Sequence, residues 1–142
     1  MKRWSRASRR RYEPIPVAPR VVIVGHCAAG KSTLVEGLRR DGIDAVTAAQ
    51  EHSAIPELWK HSGPDLLIYL DVDLETVRRR RGATWSAAAI YDAQEERLRF
   101  ARSSADLVIN TAAASADEAV DRARQYVQWW RHFARGPLES SA

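Results

Sequence analysis

Residues 21–33 constrain this chain more than any other stretch. Val21-Val22-Ile23-Val24 runs directly into Gly25-His26-Cys27-Ala28-Ala29-Gly30-Lys31-Ser32-Thr33. The β-branched run has no polar face, as expected of a central parallel strand buried on both sides. The first eight of the nine residues after it, Gly25 to Ser32, match the pattern G-x-x-x-x-G-K-S/T without departure. Each position has a physical reason. The glycines permit backbone geometry closed to other residues, so that successive N–H groups turn inward toward an anion. The loop opens a helix, whose N-terminal partial positive charge favours the same anion. In loops of this pattern the lysine reaches the β and γ phosphates of a nucleotide and the hydroxyl of the following residue ligates Mg²⁺. Gly25 to Thr33 is therefore the candidate nucleotide-binding segment, with Lys31 and Ser32 in those roles. His26 and Cys27 fill its variable positions. Cys27, near a helix N-terminus, is either a reactive thiol or a small side chain the turn tolerates.

The rest of the chain alternates strand and helix signals. A helix is expected over Lys31 to Arg40, with Leu34 and Leu38 on one face and Gly42 as its stop. Ile43 to Thr47 reads as a second strand, Ile55 to Lys60 as a short helix, and Leu66 to Leu70 as a fully apolar strand. Asp73 suits the N-cap of a helix over Leu74 to Arg81 that Gly82 ends. Ser86 to Arg102 is helical in composition, and Leu107-Val108-Ile109 is the last strand. Ser115 to Glu118 forms a capping box for a helix running to about Phe133, with Val120, Ala123, Val127 and Trp130 in one stripe. The expected fold is a three-layer α/β sandwich of four parallel strands, 21–24, 43–48, 66–71 and 107–110, with the second and third flanking the first.

Composition narrows the setting. At 142 residues, 45% hydrophobic and 28% charged, the chain has the size and make-up of one soluble domain. No stretch approaches the length of uncharged apolar sequence that crosses a bilayer. A lone Cys27 excludes an internal disulfide and a zinc cluster built on cysteines, and fits a reducing, cytoplasmic setting. The net charge of +4 is unevenly placed. Residues 1–20 hold seven basic residues against Glu13, and the remainder holds fifteen basic against seventeen acidic. That division separates a basic, Pro-containing tail over 1–20 from a domain over 21–135 and a flexible end over 136–142. The tail reads as a solvated arm, with weak polyanion contact as its functional alternative.

On three pieces of sequence the chain resembles the P-loop NTPases, and within them the small nucleoside monophosphate kinase-like and shikimate kinase-like enzymes. The first is the loop with its helix. The second is Leu66 to Arg81, similar to the kinase strand and helix that lead into an arginine-bearing lid. The third is Arg97 followed by Ala105-Asp106-Leu107-Val108-Ile109-Asn110-Thr111, similar to the last strand of those kinases. The resemblance spans about residues 21–130 and implies the P-loop fold, ATP with Mg²⁺, and phosphoryl transfer to a small-molecule acceptor. Arg97, and Arg80 and Arg81 at the entry to the lid, are implied as phosphate or base contacts. Arg78 to Arg81 cannot all serve, because successive helical residues point about 100° apart. The remaining arginines suit the C-terminal end of the helix dipole.

Phosphoryl transfer also needs an acid to hold the metal and a group to orient the nucleophile. Gln50-Glu51-His52-Ser53 follows the second strand, whose C-terminal end lies beside the loop if the two strands are neighbours. Glu51 is the candidate metal-holding acid or base, and Gln50 the group that orients a water. Asp71, at the end of the most apolar strand, is the rival acid. A surface loop is the plain alternative for Gln50, Glu51 and His52. Glu95 and Arg99, four apart, read as a surface pair, and Trp59, Trp129 and Trp130 as core packing, with Trp85 beside the lid. Only about 35 residues separate Gly30 from Leu66, too few for an acceptor-binding insert. Two readings stay open: a kinase-like phosphotransferase or NTPase, and a nucleotide-binding module with little turnover that regulates a partner.

Overall fold

The computed structural model describes residues 18–82 and 87–140. The expected tail up to residue 17, the segment 83–86 with Trp85, and residues 141–142 lie outside the described residues.

Apolar runs too long for one-sided burial form the centre of the molecule. β1 (Arg20–Gly25) pairs in parallel with β2 (Asp44–Thr47) on one side and with β3 (Leu66–Asp71) on the other; β4 (Leu107–Asn110) extends β3. The strand order is β2-β1-β3-β4, with the second and third strands flanking the first as expected. Side chains alternate across the sheet. Val21, Ile23, Leu66, Ile68 and Leu70 pack with Leu34, Val35 and Leu38 of α1 (Lys31–Arg40) and with Ala119, Ala123 and Val127 of α4 (Ala116–Ser140). Val22, Val24, Leu67 and Tyr69 face the other way, against Trp59 and against Leu98 and Ala101 of α3 (Ala87–Ser104). This is an α/β fold, a small parallel sheet flanked by helices on both faces.

Local chemistry sets the helix boundaries. Asp73 accepts the Thr76 N–H at 2.8 Å and caps α2 (Leu74–Arg81), which Gly82 ends in a conformation with φ 99°. Ser115 and Glu118 exchange the two bonds of a capping box, at 3.0 and 3.1 Å, to start α4. α1 and α4 approach closely because Gly37 has no side chain: a Cβ there would lie 2.5 Å from Val120 Cγ2.

Four expectations need correction. The short helix expected over Ile55 to Lys60 is a single 3₁₀ turn over Leu58–Ser62, because Glu57 adopts a left-handed φ of 58° that interrupts any helix entering from Ile55. α4 runs to Ser140, well past Phe133, since a helix anchored by its buried stripe propagates at one hydrogen bond per residue. Arg99 pairs with Glu96 at 3.4 Å, leaving Glu95 to turn inward. Trp59 is core, but Trp129 is 50% exposed.

Candidate functional site

The loop after β1 is shaped by two glycines. At Gly25 a Cβ would lie 2.7 Å from the Leu70 carbonyl oxygen, so only glycine lets β1 run this close to β3 as the chain turns. Gly30 holds the N-cap of α1 at φ 96°, with no side-chain cap and nothing within 4 Å of where a Cβ would stand. The first turn of α1 therefore receives no side-chain cap from its N-cap residue. Between the glycines, Ala28 is held at φ 63°, a conformation rare outside glycine. Ser32 and Thr33 are exposed in the first turn of α1.

Lys31 folds back across this loop. Its ammonium donates to the carbonyls of Gly25 at 2.9 Å and His26 at 2.8 Å, and lies 2.8 Å from Glu51 Oε2. Three acceptors match its three protons. Glu51 comes from the 3₁₀ turn Gln50–His52 that follows β2. Its residue is 4% exposed, and its other oxygen, Oε1, is buried with no hydrogen-bond partner. β2 lies beside β1, and this adjacency carries Glu51 to the loop. Arg97, on α3, donates to the Glu51 carbonyl at 3.1 Å. It fixes the backbone of the acid and is not placed as a direct phosphate contact.

Gln50 and Asp71 are each engaged by partners away from Lys31. Gln50 is buried, its carbonyl oxygen accepting the Trp59 N–H and its amide donating to the Ile55 carbonyl at 2.9 Å. Both ends of the amide brace the following loop. The two carboxylate oxygens of Asp71 accept from Arg102 at 2.8 and 3.2 Å. That pairing satisfies the acid on the α3 side of β3, while the space over the loop adjoins Leu70 on the opposite face.

Arg80 is placed at the loop, at the C-terminal end of α2. Its guanidinium donates to the Ala28 carbonyl and to the Thr111 carbonyl, each at 2.7 Å. It thereby closes one wall of a cavity of about 350 Å³ bounded by Gly30, Thr33, Leu70, Thr111 and Ala114. Arg81, next in the helix, is exposed and does not line that cavity.

The variable positions of the loop face α3. His26 is 1% exposed, stacks on Tyr91 with ring centroids 4.1 Å apart, and lies 2.6 Å from Glu95 Oε1. Burial, with the Glu95 charge adding to it, pushes the Tyr91 phenol up to about 12. Gln94 clamps Cys27, accepting its backbone N–H at 3.1 Å and donating to its sulfur at 3.1 Å. Tyr91, Gln94 and Glu95 were not among the expected site residues. A signal existed: Gln94, Leu98 and Ala101 stand at helical spacing on one stripe, and Gln94 is its polar member.

A scan against protein-family models gives no match, and a search of curated proteins gives none either. No described helix is long and apolar enough to cross a membrane.

Proposed function

We propose that this chain is a P-loop protein that binds a nucleoside triphosphate, ATP first, with its phosphates in the Gly25–Thr33 loop. The observation that carries the reading is the Lys31–Glu51 pair at the loop mouth. A lysine satisfied by two loop carbonyls and an acid is a stored cation, ready to exchange those partners for β- and γ-phosphate oxygens. The uncapped start of α1 adds N–H donors and a favourable dipole to the same place. The cavity beside Arg80 has the size for a base or ribose, with Thr33 and Thr111 as polar edges and Leu70 and Ala114 as apolar walls.

Mg²⁺ fits the residues present. An exposed Ser32 hydroxyl and a buried carboxylate with one partnerless oxygen form the hard, oxygen-only donor set such an ion takes. Ser32 and Glu51 would hold it; Asp71, paired with Arg102, would not. When bound, Mg²⁺ neutralises charge developing on the phosphate oxygens. Release of Lys31 to the phosphates leaves the Glu51 carboxylate free to orient or deprotonate a nucleophile, while Arg97 keeps its backbone in place. This supports an NTPase or kinase-like phosphotransferase, its small-molecule acceptor still to be identified. The burial of Gln50, whose amide braces the following loop, favours the second reading, a nucleotide-binding module with little turnover.

A thermal-shift titration with ATP, with and without Mg²⁺, tests the reading. Ligand at about 100 times its dissociation constant adds about 2.7 kcal/mol to the native state. The wild type should show that upward shift, and Lys31→Ala should not. An equal shift in both proteins overturns the assignment. Phosphate release by the wild type then separates enzyme from module.

A further inference from the structure

One side-chain cluster at the loop holds two residues, Cys27 and His52, that the nucleotide reading does not use. Cys27 Sγ lies 3.5 Å from His52 Nε2, and the same nitrogen lies 3.7 Å from Glu51 Oε2. One ligand atom from each of the three residues falls within 4.8 Å of the others. A thiol, an imidazole and a carboxylate invite comparison with a nucleophilic relay. A relay needs the imidazole to face the thiol with one nitrogen and the acid with the other. Here a single nitrogen faces both. One nitrogen within reach of both the sulfur and a carboxylate oxygen suits ligands around a cation better than a relay.

We propose that Cys27, His52 and Glu51 form a binding site for a thiophilic divalent ion of the zinc type. The metal–ligand distances usual for zinc put neighbouring ligand atoms of a tetrahedral site about 3.3–3.8 Å apart. The sulfur–nitrogen and nitrogen–oxygen separations of 3.5 and 3.7 Å already lie there without an ion. The same glutamate has acceptor capacity to spare. Glu51 Oε1 is buried and partnerless, an unmet acceptor on a residue 4% exposed. Lys31 holds Oε2, the same oxygen that lies 3.7 Å from His52, and rotation about the broad terminal torsion of a glutamate exchanges the two oxygens, so that one keeps the lysine while the other takes the ion.

The surroundings suit a thiolate. The Gln94 amide donates to the sulfur and locks the Cys27 backbone, the kind of outer contact that orients a ligand. Binding releases the thiol proton to solvent. Three protein ligands leave a fourth position for water or an anion. The sulfur also separates this site from the Mg²⁺ reading: Mg²⁺ prefers oxygen ligands, whereas a Cys/His/Glu set selects zinc and its neighbours. Glu51 is common to both, but Cys27 and His52 belong only to this one.

The test is a titration of the reduced, full-length chain with Co²⁺, a spectroscopic stand-in for zinc. Nucleotide is left out throughout, so the outcome is independent of the nucleotide reading. One equivalent of Co²⁺ should produce a near-ultraviolet sulfur-to-metal band with visible tetrahedral bands, and Zn²⁺ but not excess Mg²⁺ should erase them. Cys27→Ser should remove the near-ultraviolet band. His52→Ala, at an exposed side chain whose loss leaves the fold intact, should remove the tetrahedral bands, and Gln94→Ala should weaken the ion roughly tenfold. Absence of a sulfur band in the wild type overturns the proposal, as does a spectrum unchanged by His52→Ala.

Discussion

Lys31 and Glu51, twenty residues apart in the chain, meet with nitrogen and oxygen 2.8 Å apart and side chains 13% and 6% exposed. Little water reaches either charge, so each depends on the other. Removing one partner of a buried pair costs more than removing both, because the survivor is left charged and unpaired. Lys31→Met should therefore lower the stability of the ligand-free protein by about 3 kcal/mol. The double variant Lys31→Met/Glu51→Gln should recover a large part of that loss. Urea midpoints of the four proteins in the cycle decide the matter. Additive losses would mean that the two residues do not support each other.

Glu51→Gln should keep ATP-induced stabilisation and lose phosphate release, since shape is preserved while the charge beside the phosphates is removed. Asp71→Asn should change turnover little. The Asp71–Arg102 pair is substantially exposed, at 30% and 46%, and exposed pairs contribute about 0–1 kcal/mol. Rates compared at saturating Mg-ATP isolate the chemical step. Inactivity of Asp71→Asn with an active Glu51→Gln would reverse the roles.

Gly37→Ala is expected to destabilise, against the helix preference of about 1 kcal/mol that favours alanine. The new methyl would meet Val120 Cγ2 at 2.5 Å, and overpacking of that kind costs about 1–3 kcal/mol. Adding Val120→Ala makes room for it, so the double variant should melt above Gly37→Ala. A single variant more stable than wild type would show that α1 and α4 separate freely.

At alkaline pH the Tyr91 phenol gives a titration of known direction. Its value is raised from 10.0 to about 12, mainly by burial, so the folded state holds the proton more tightly than the unfolded chain. The stability this contributes is complete below the unfolded value and is lost as pH rises through the window between the two. Tyr69, raised further by its own burial, loses stability in the same direction. Denaturation midpoints at about pH 8 and about pH 11 should differ more in wild type than in Tyr91→Phe, which keeps the ring on His26. Equal pH sensitivity of the two proteins would remove Tyr91 from the account.

Much of the site was legible because its determinants are local. Gly25, Gly30 and Lys31 fall within seven consecutive residues, and the Val21–Val24 run before them can only be a buried strand. The caps at Asp73 and Ser115 are equally local, each a side chain bonding a backbone three residues on. Placing Glu51 beside the loop needed one further inference, that β2 neighbours β1.

The pairing of distant side chains was not legible. Gln50 and Glu51 are adjacent in sequence, yet one braces the path to Trp59 while the other meets Lys31, because a 3₁₀ turn sends successive side chains in different directions. Asp71 stood as the rival to Glu51, and its partner Arg102, 31 residues on, could not be read from the sequence. Glu95 could have paired with Arg99 along α3 and instead turns toward His26. By itself the sequence determined the loop, the strands and the starts of α2 and α4, since backbone geometry and burial patterns act within a few residues. Only the tertiary structure decided which charges are free at the loop and which are satisfied. A polar side chain takes whichever partner packing brings within about 3 Å, and distance in space is not encoded by distance along the chain.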